Sequence, residues 1–121
     1  MTKGIIVTAT GLDLSGKDTL IEAIANNLKE QGKKVLDIRK FTELPSLDLL
    51  MNQDVIVSCE PTYFEIGKFI REEVIASNER YYSARQTATY FSDDRLFLFS
   101  EVVAPTSEKG ITNLIVRGRI D

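Results

Sequence analysis

Apolar and polar positions alternate along this chain in blocks that predict strands and helices in turn. Short apolar runs predict four strands, at residues 4–10, 34–41, 54–59 and 113–116. Apolar positions three and four residues apart predict three helices, at about residues 17–31, 64–77 and 82–103. The strand at 54–59 is apolar throughout, which is typical of a strand buried on both faces. The pattern therefore predicts an α/β fold with a parallel sheet and helices on both faces, three layers in all.

Local signals mark the ends of these elements. Gly32 follows the first predicted helix and favours its C-terminal stop. Pro105 and Gly110 are interpreted as the exit from the third helix. Residues 42–52 contain Pro45 and several leucines, and they are predicted to form a loop with a helical turn packed on the body. Because no repeat, low-complexity tract or linker interrupts the pattern, residues 1–121 are expected to form one domain.

The third predicted helix carries a charge on its apolar stripe. Arg95 lies one turn after Phe91, on the same face. An unpaired charge at such a position is costly, so the side chain needs a partner. One interpretation is a salt bridge to a buried carboxylate. The other is a ligand pocket in which Phe91 provides a stacking surface and Arg95 a polar contact.

Composition narrows the possible functions. The 121 residues are 43% hydrophobic, which is enough for a single globular core. A net charge of −3 provides no basic surface for nucleic acid or for an anionic membrane, so neither is expected as a partner. The N-terminus carries no signal-peptide pattern, and no apolar run approaches a membrane span, so the chain is expected to be cytoplasmic.

The chain has no histidine and one cysteine, Cys59. These counts exclude an intramolecular disulfide and make a zinc site improbable. Catalysis by Ser–His or Cys–His pairs is also excluded. Cys59 ends an apolar run and is predicted to be a small core residue. Chemistry in this chain must therefore rest on carboxylates, lysine, arginine and a bound cation.

The strongest chemical signal follows the first predicted strand. The sequence from Gly11 to Lys17 fits G-x-x-x-x-G-K between a strand and a helix, which predicts a phosphate-binding loop. The glycines allow backbone N–H groups to point inward, and the following helix adds the positive end of its dipole. Lys17 is expected to bridge the terminal phosphates of ATP. The predicted ATP-binding residues are Gly11, Leu12, Asp13, Leu14, Ser15, Gly16, Lys17, Asp18 and Thr19.

Two carboxylates near these elements are candidate ligands. Asp18 occupies the position where the loop motif has a serine or threonine bound to Mg²⁺. A carboxylate oxygen is a suitable Mg²⁺ ligand, although its charge also adds to that of the phosphates. Glu60 and Pro61 follow the third strand, at the carboxyl end where open α/β sheets bind ligands.

Taken together, these motifs resemble the thymidylate kinase family of P-loop nucleoside monophosphate kinases, over essentially the whole chain. The loop is similar to that of the family, including its acidic third residue Asp13. Residues 59–71 are similar to the R-E-P…G…I-R segment of the family, and residues 91–95 to its F-x-x-x-R helix. Residues 114–119 lie where the family has a strand ending in D-R-Y.

The resemblance implies a P-loop NTPase fold and the phosphorylation of dTMP to dTDP with ATP and Mg²⁺. It implies that Phe91 stacks on the thymine, that Arg95 contacts the same nucleotide and that Asp13 reaches its deoxyribose. It also implies that the Glu60 turn helps to hold the metal and the acceptor phosphate. Arg119, with Lys17, is the expected catalytic residue, since it would neutralise charge on the transferring group. A homodimer is expected from the family.

The sequence also departs from the family pattern. Asp18 stands where the family has a hydroxyl residue, Cys59 where it has an arginine, and Gly118 where it has an aspartate. Residues 41–54 resemble an insertion. Family members are longer, so their lid, last strand and adenine-binding loop are expected beyond Asp121. Two alternatives therefore stay open. One is a deoxynucleoside kinase with Glu60 as the base, and the other is a non-catalytic or truncated nucleotide-binding module.

Overall fold

One sheet of four parallel strands forms the centre of the computed structural model, which describes residues 4–11, 16–75 and 82–118. The strands are β1 (Ile6–Gly11), β2 (Val35–Asp37), β3 (Val55–Glu60) and β4 (Thr112–Gly118). Their order in the sheet is β1-β4-β3-β2, and every neighbouring pair is parallel. The predicted parallel α/β sheet is therefore confirmed.

Five α-helical segments accompany the described strands. They are α1 (Lys17–Glu30), α2 (Leu47–Met51), α3 (Ile66–Phe69), α4 (Ala84–Leu98) and α5 (Ala104–Glu108). A π-helical turn, Ile70–Ile75, continues α3, and a second, Phe99–Val103, joins α4 to α5. In the part of the chain that the structure describes, no helix is long and apolar enough to cross a membrane.

Side chains of the two central strands alternate between two cores, one on each face of the sheet. Val57 and Cys59 of β3 pack with Leu114 of β4 and Ile21 of α1 on one face. The alternate residues of each strand, such as Ile56 of β3 and Ile115 of β4, pack with α4 and the turn after it on the other face. Cys59 is confirmed as a core residue, and burial raises the pKa of its thiol. The helices thus cover both faces, as the sequence predicts.

Two predicted elements differ in their bounds from the expectation. The strand predicted at residues 34–41 ends at Asp37, whose carboxylate accepts a hydrogen bond from the backbone N–H of Arg39 at 3.0 Å. This local bond turns the chain away from the sheet. The helix predicted from residue 64 begins at Ile66 and changes to π geometry at Ile70, and residues 76–81 lie outside the described part. The helical turn expected within residues 42–52 is confirmed as α2, which buries Leu50.

The prediction that Pro105 ends the third helix is wrong, because the helix continues to Glu108. The π-helical turn before it changes the hydrogen-bond register, since the Ala104 N–H donates to the Phe99 carbonyl five residues back. Pro105 then occupies the first turn of α5, where a missing N–H is tolerated. Gly110, with a φ of 90°, follows α5 and marks the exit, as predicted.

Candidate functional site

Three charged side chains meet at the carboxyl ends of β3 and β4. The parallel register pairs Glu60, the last residue of β3, with Arg117 of β4. The Nε–H group of Arg117 donates a hydrogen bond to Glu60 Oε2. Arg95 approaches from α4, and its Nε lies 3.6 Å from the same oxygen. We call Glu60, Arg95 and Arg117 the arginine–glutamate cluster.

The cluster combines a buried anion with two more exposed cations. Glu60 is 7% exposed, whereas the Arg95 side chain is 47% exposed. Two guanidinium groups against one carboxylate give the cluster one net positive charge. Because Glu60 occupies only part of their donor capacity, the remaining N–H groups can bind an anionic ligand. Arginine suits phosphate groups in particular, since its planar fork matches their geometry.

A pocket of about 430 Å³ lies between α4 and the sheet, with the cluster at one end. Thr8 of β1 and Ser92 of α4 add polar groups to its lining. The remaining lining side chains are apolar: Ile6, Leu96, Phe99, Val103 and Ile115. The volume is in the range of small-molecule sites, and an apolar body with a few convergent polar groups is typical of them. The pocket can therefore accept a ligand with an anionic head and an apolar or aromatic body.

The turn after β3 is fixed by side chains from two other elements. We call it the Glu60–Thr62 turn, and its Glu60–Pro61 peptide bond is cis. Arg71 donates hydrogen bonds to the carbonyl oxygens of Pro61 and, at 3.1 Å, of Thr62. Asp94 of α4 accepts from Thr62 N at 3.0 Å and from Thr62 Oγ1 at 2.7 Å. The Pro61–Thr62 end of the turn is thus bound to two helical segments.

Asp94 is almost fully buried. Burial raises the pKa of its carboxyl group, and the two hydrogen bonds from Thr62 oppose this rise by stabilising the ionised form. Glu60 nearby raises the Asp94 pKa further, whereas the guanidinium of Arg71 lowers it. A buried carboxylate with two donors and a nearby cation is the arrangement by which a protein tolerates such a group.

The predicted phosphate-binding loop is described only at its ends. β1 ends at Gly11 and α1 begins at Lys17, so the predicted strand–loop–helix order is present. Gly16 has a φ of 81°, a left-handed conformation that favours glycine. The other loop residues, and the last three residues of the chain, lie outside the described part. Five predicted site residues are among them, namely Leu12, Asp13, Leu14, Ser15 and Arg119.

Asp18, the predicted Mg²⁺ ligand, lies in the exposed first turn of α1, next to Thr19. Its Oδ1 is 3.5 Å from Nη1 of Arg39, which also contacts Asp37 at 2.7 Å and Glu22 at 3.3 Å. No group of three or more potential metal ligands occurs among the described residues. Mg²⁺ bound to a nucleotide needs only one or two carboxylates besides the phosphates, so Asp18 fits that role as a single ligand.

The two residues predicted for the base pocket have different surroundings. Arg95 lines the pocket and also bridges to the buried Glu60, so the salt bridge that the sequence left open is observed. Phe91 is 8% exposed and is not among the described residues that line the pocket. Phe99, which is 51% exposed, lines it instead. Of the predicted pair Phe91 and Arg95, only Arg95 therefore lines the pocket.

Sequence reasoning missed three residues of this region: Arg71, Asp94 and Arg117. A signal for Asp94 was present, because it lies three residues after Phe91 and four before Leu98, on the buried stripe of the helix. A carboxylate at such a position requires a partner as much as Arg95 does. No comparable signal marked Arg117, since its partner depends on how β3 and β4 are aligned.

Comparison with known proteins gives a similarity over most of this chain. No protein-family model matches it. Over 107 residues it is 24% identical to a protein named thymidylate kinase from Exiguobacterium sp. (strain ATCC BAA-1283 / AT1b). The match covers 88% of this chain and 41% of that kinase, so the chain spans about two fifths of the length of the relative. Along most of its own length, then, this chain is similar to part of a thymidylate kinase.

Proposed function

We propose that the protein is a nucleotide kinase that transfers the γ-phosphoryl group of ATP to a nucleoside monophosphate, with dTMP as the preferred acceptor. The observation that carries this proposal is the arginine–glutamate cluster at the carboxyl edge of the sheet. The predicted phosphate-binding loop leaves β1 at that same edge, since Gly11 pairs with Gly118 just beyond Arg117. The similarity to a thymidylate kinase supports the same assignment.

In this proposal, the donor site and the acceptor site lie close together at one edge of the sheet. β4 lies between β1 and β3. Neighbouring strands are about 5 Å apart, so the loop after β1 begins about 10 Å from the end of β3. An acceptor phosphate bound to Arg95 and Arg117 would therefore lie near a nucleotide bound by the loop. This proximity is the main requirement of phosphoryl transfer.

In this mechanism the protein positions groups and stabilises charge. Lys17 and the loop N–H groups hold the donor phosphates, and Arg95 and Arg117 hold the acceptor phosphate. Glu60 orients both guanidinium groups through its buried carboxylate. Arg119 adds positive charge beside the transferring group. The acceptor phosphate is already an anionic nucleophile, so the reaction needs no histidine base.

The residues also suit the cation that such kinases use. Asp18 would hold Mg²⁺ at the start of α1, with help from the Glu60 turn, and bound Mg²⁺ would neutralise charge on the donor phosphates. Asp13 would contact the acceptor sugar, as the resemblance implies. Phe91 by resemblance and Phe99 by its exposure are competing candidates for contact with the base.

The proposal is tested by measuring ADP release with ATP, Mg²⁺ and a panel of nucleoside monophosphates, with thymidine included. We expect release that depends on dTMP, and a loss of about 100-fold or more in kcat/KM in Arg117→Gln. Arg85→Gln is the control, because Arg85 is an exposed arginine on α4, the helix that carries Arg95. If the panel gives no release and the chain does not bind ATP, the proposal is wrong.

A non-catalytic nucleotide-binding module is the second candidate. It is favoured by the ion pair between Asp18 and Arg39, which occupies the carboxylate that would bind Mg²⁺. ATP binding without turnover on any acceptor would select it. A deoxynucleoside kinase would instead release ADP with thymidine. One oxygen of Glu60 already contacts two guanidinium groups, which leaves less of the carboxylate free to approach a sugar hydroxyl.

The assembly and surroundings of the protein are proposals too. The resemblance favours a homodimer, which light scattering on the purified chain would test. The acidic composition favours small nucleotides over nucleic acid as ligands.

A further inference from the structure

Two consecutive residues of α4 contact the Glu60–Thr62 turn at different points. Arg95 lies against the carboxylate of Glu60, at the start of the turn. Asp94 accepts a hydrogen bond from the Thr62 N–H, at the end of the turn, and its Oδ1 lies 2.7 Å from Thr62 Oγ1. Two adjacent residues of α4 therefore fix the position of this turn relative to the helix.

We propose that Asp94 is a positioning residue, which fixes Glu60 and thereby the two arginines of the cluster. Among the described residues, the hydrogen bonds of the Asp94 side chain go to Thr62, which lies outside the cluster and the pocket lining, so its effect is transmitted through Thr62 and the turn. The proposal rests on the proposed function in one respect, namely that the cluster binds the acceptor phosphate. The anchoring of the turn itself is independent of that function.

The burial of the Asp94–Thr62 pair makes the anchor strong. Asp94 is 1% exposed and Thr62 is buried with it, so water cannot replace either hydrogen bond. Loss of the acceptor would leave the buried Thr62 N–H without a hydrogen-bond partner, which is unfavourable for a buried donor. The turn would be expected to move so that this group reaches water. Glu60, two residues earlier, would move with it.

The geometry also predicts which substitution preserves the anchor. Thr62 Oγ1 lies 2.7 Å from Asp94 Oδ1 and 3.1 Å from the Phe64 carbonyl oxygen, so its single proton has two possible acceptors. An asparagine at position 94 can accept from Thr62 N and donate its amide to Oγ1, while the hydroxyl donates to Phe64. Alanine can do neither. Asp94→Asn should therefore retain the position of the turn, and Asp94→Ala should lose it.

The anchor is tested first by NMR on the whole chain, with no nucleotide present. In Asp94→Ala we expect the Thr62 amide to lose at least about tenfold of its hydrogen-exchange protection, as expected of a freed buried N–H. We also expect the Nε–H signals of Arg95 and Arg117 to shift, because both groups point at Glu60. Asp93→Ala, at an exposed neighbouring carboxylate, should change neither. Unchanged Thr62 protection and unchanged Nε–H signals in Asp94→Ala would overturn the anchor.

Kinetics then tests whether the anchor serves the acceptor. We expect Asp94→Ala to lower kcat/KM for the acceptor by about 10- to 100-fold, the scale of a misplacement near 1 Å, with KM for ATP unchanged. Asp94→Asn should recover most of the loss. Parallel losses for ATP and acceptor would indicate general destabilisation and overturn the positioning role. If Asp94→Ala does not fold, Thr62→Val tests the hydroxyl contact by itself, since it replaces the hydroxyl by a methyl group and keeps the backbone N–H. We then expect a lower kcat/KM for the acceptor with KM for ATP unchanged, and an unchanged kcat/KM would overturn the positioning role.

The two proposals can fail separately. A wild-type chain that turns over no nucleotide refutes the proposed function, and the NMR comparison still decides whether Asp94 fixes the arginine–glutamate cluster. A wild-type chain that is active with dTMP, and in which Asp94→Ala is fully active, retains the proposed function and refutes the positioning role.

Discussion

Gly67 leaves the space in which the Asp94–Thr62 pair fits, and replacing it tests that packing directly. A Cβ atom at this position would lie 2.5 Å from the Thr62 carbonyl oxygen and 2.6 Å from Asp94 Oδ1, with Thr62 Oγ1 closer still. Ordinary contacts of a Cβ with oxygen are near 3.4 Å or longer. Gly67→Ala must therefore displace backbone and buried side chain by nearly an ångström.

The size of the effect follows from two opposing terms. Overpacking of a buried site costs about 1–3 kcal/mol. The better helix propensity of alanine returns up to about 1 kcal/mol at this helical position. We expect a net loss of about 1–2 kcal/mol in the free energy of unfolding, which lowers the urea midpoint by about 0.5–1 M.

Gly32 supplies a control, because a side chain there would strain the backbone without crowding its neighbours. Its φ is +86°, and a Cβ there would have no atom within 4 Å. Gly32→Ala should cost about 1–2 kcal/mol through backbone strain, and Gly32→Asn less, because asparagine tolerates the left-handed region. At Gly67 we expect asparagine to cost more stability than alanine, since its side chain is larger. Urea denaturation of the four variants makes the comparison, and a Gly67→Asn variant as stable as Gly67→Ala would refute the steric explanation.

Three further predictions concern the same region. Burial raises the Asp94 pKa above its ordinary value of 3.8, so its stabilising effect is full below that value and is lost as pH rises through the folded pKa. As the pH rises from 3.8 through the folded pKa, the urea midpoint of the wild type should fall relative to that of Asp94→Asn. Midpoints that change in parallel with pH would contradict a raised pKa for Asp94. Arg39→Met should weaken the binding of ATP without Mg²⁺ several-fold by calorimetry, because Asp18 would then face the phosphates unpaired, and the effect should vanish in an Asp18→Asn background. Phe91→Ala should cost about 3–5 kcal/mol of stability, whereas Phe99→Ala should raise the acceptor KM at nearly unchanged stability. The reverse pattern would assign base stacking to Phe91.

Much of the candidate site could be predicted from single positions in the sequence. Glu60 was predicted from its place after a buried strand, and Arg95 from its charge on an apolar stripe. The structure brings both side chains together, within 3.6 Å. The choice of aromatic partner could not be settled in this way, because Phe91 and Phe99 have similar spacing from Arg95. Only the packing of α4 shows that one is buried and the other lines the pocket.

The sequence by itself determined the local structure of this protein. Apolar periodicity specified the strands and the helices on both faces, and Gly32 and Gly110, which were predicted to follow helices, both have a positive φ. These features depend on neighbours within a few residues, so a linear pattern records them.

Tertiary structure alone decided which polar groups meet. Arg117 and Glu60 are 57 residues apart, and Asp94 and Thr62 are 32 apart. Their contacts depend on the register of β3 against β4 and on the depth at which α4 packs on the sheet. Periodicity identifies the face that is buried, but it carries no information about the partner that the face meets. The register and packing that select these partners arise only when the whole core is assembled.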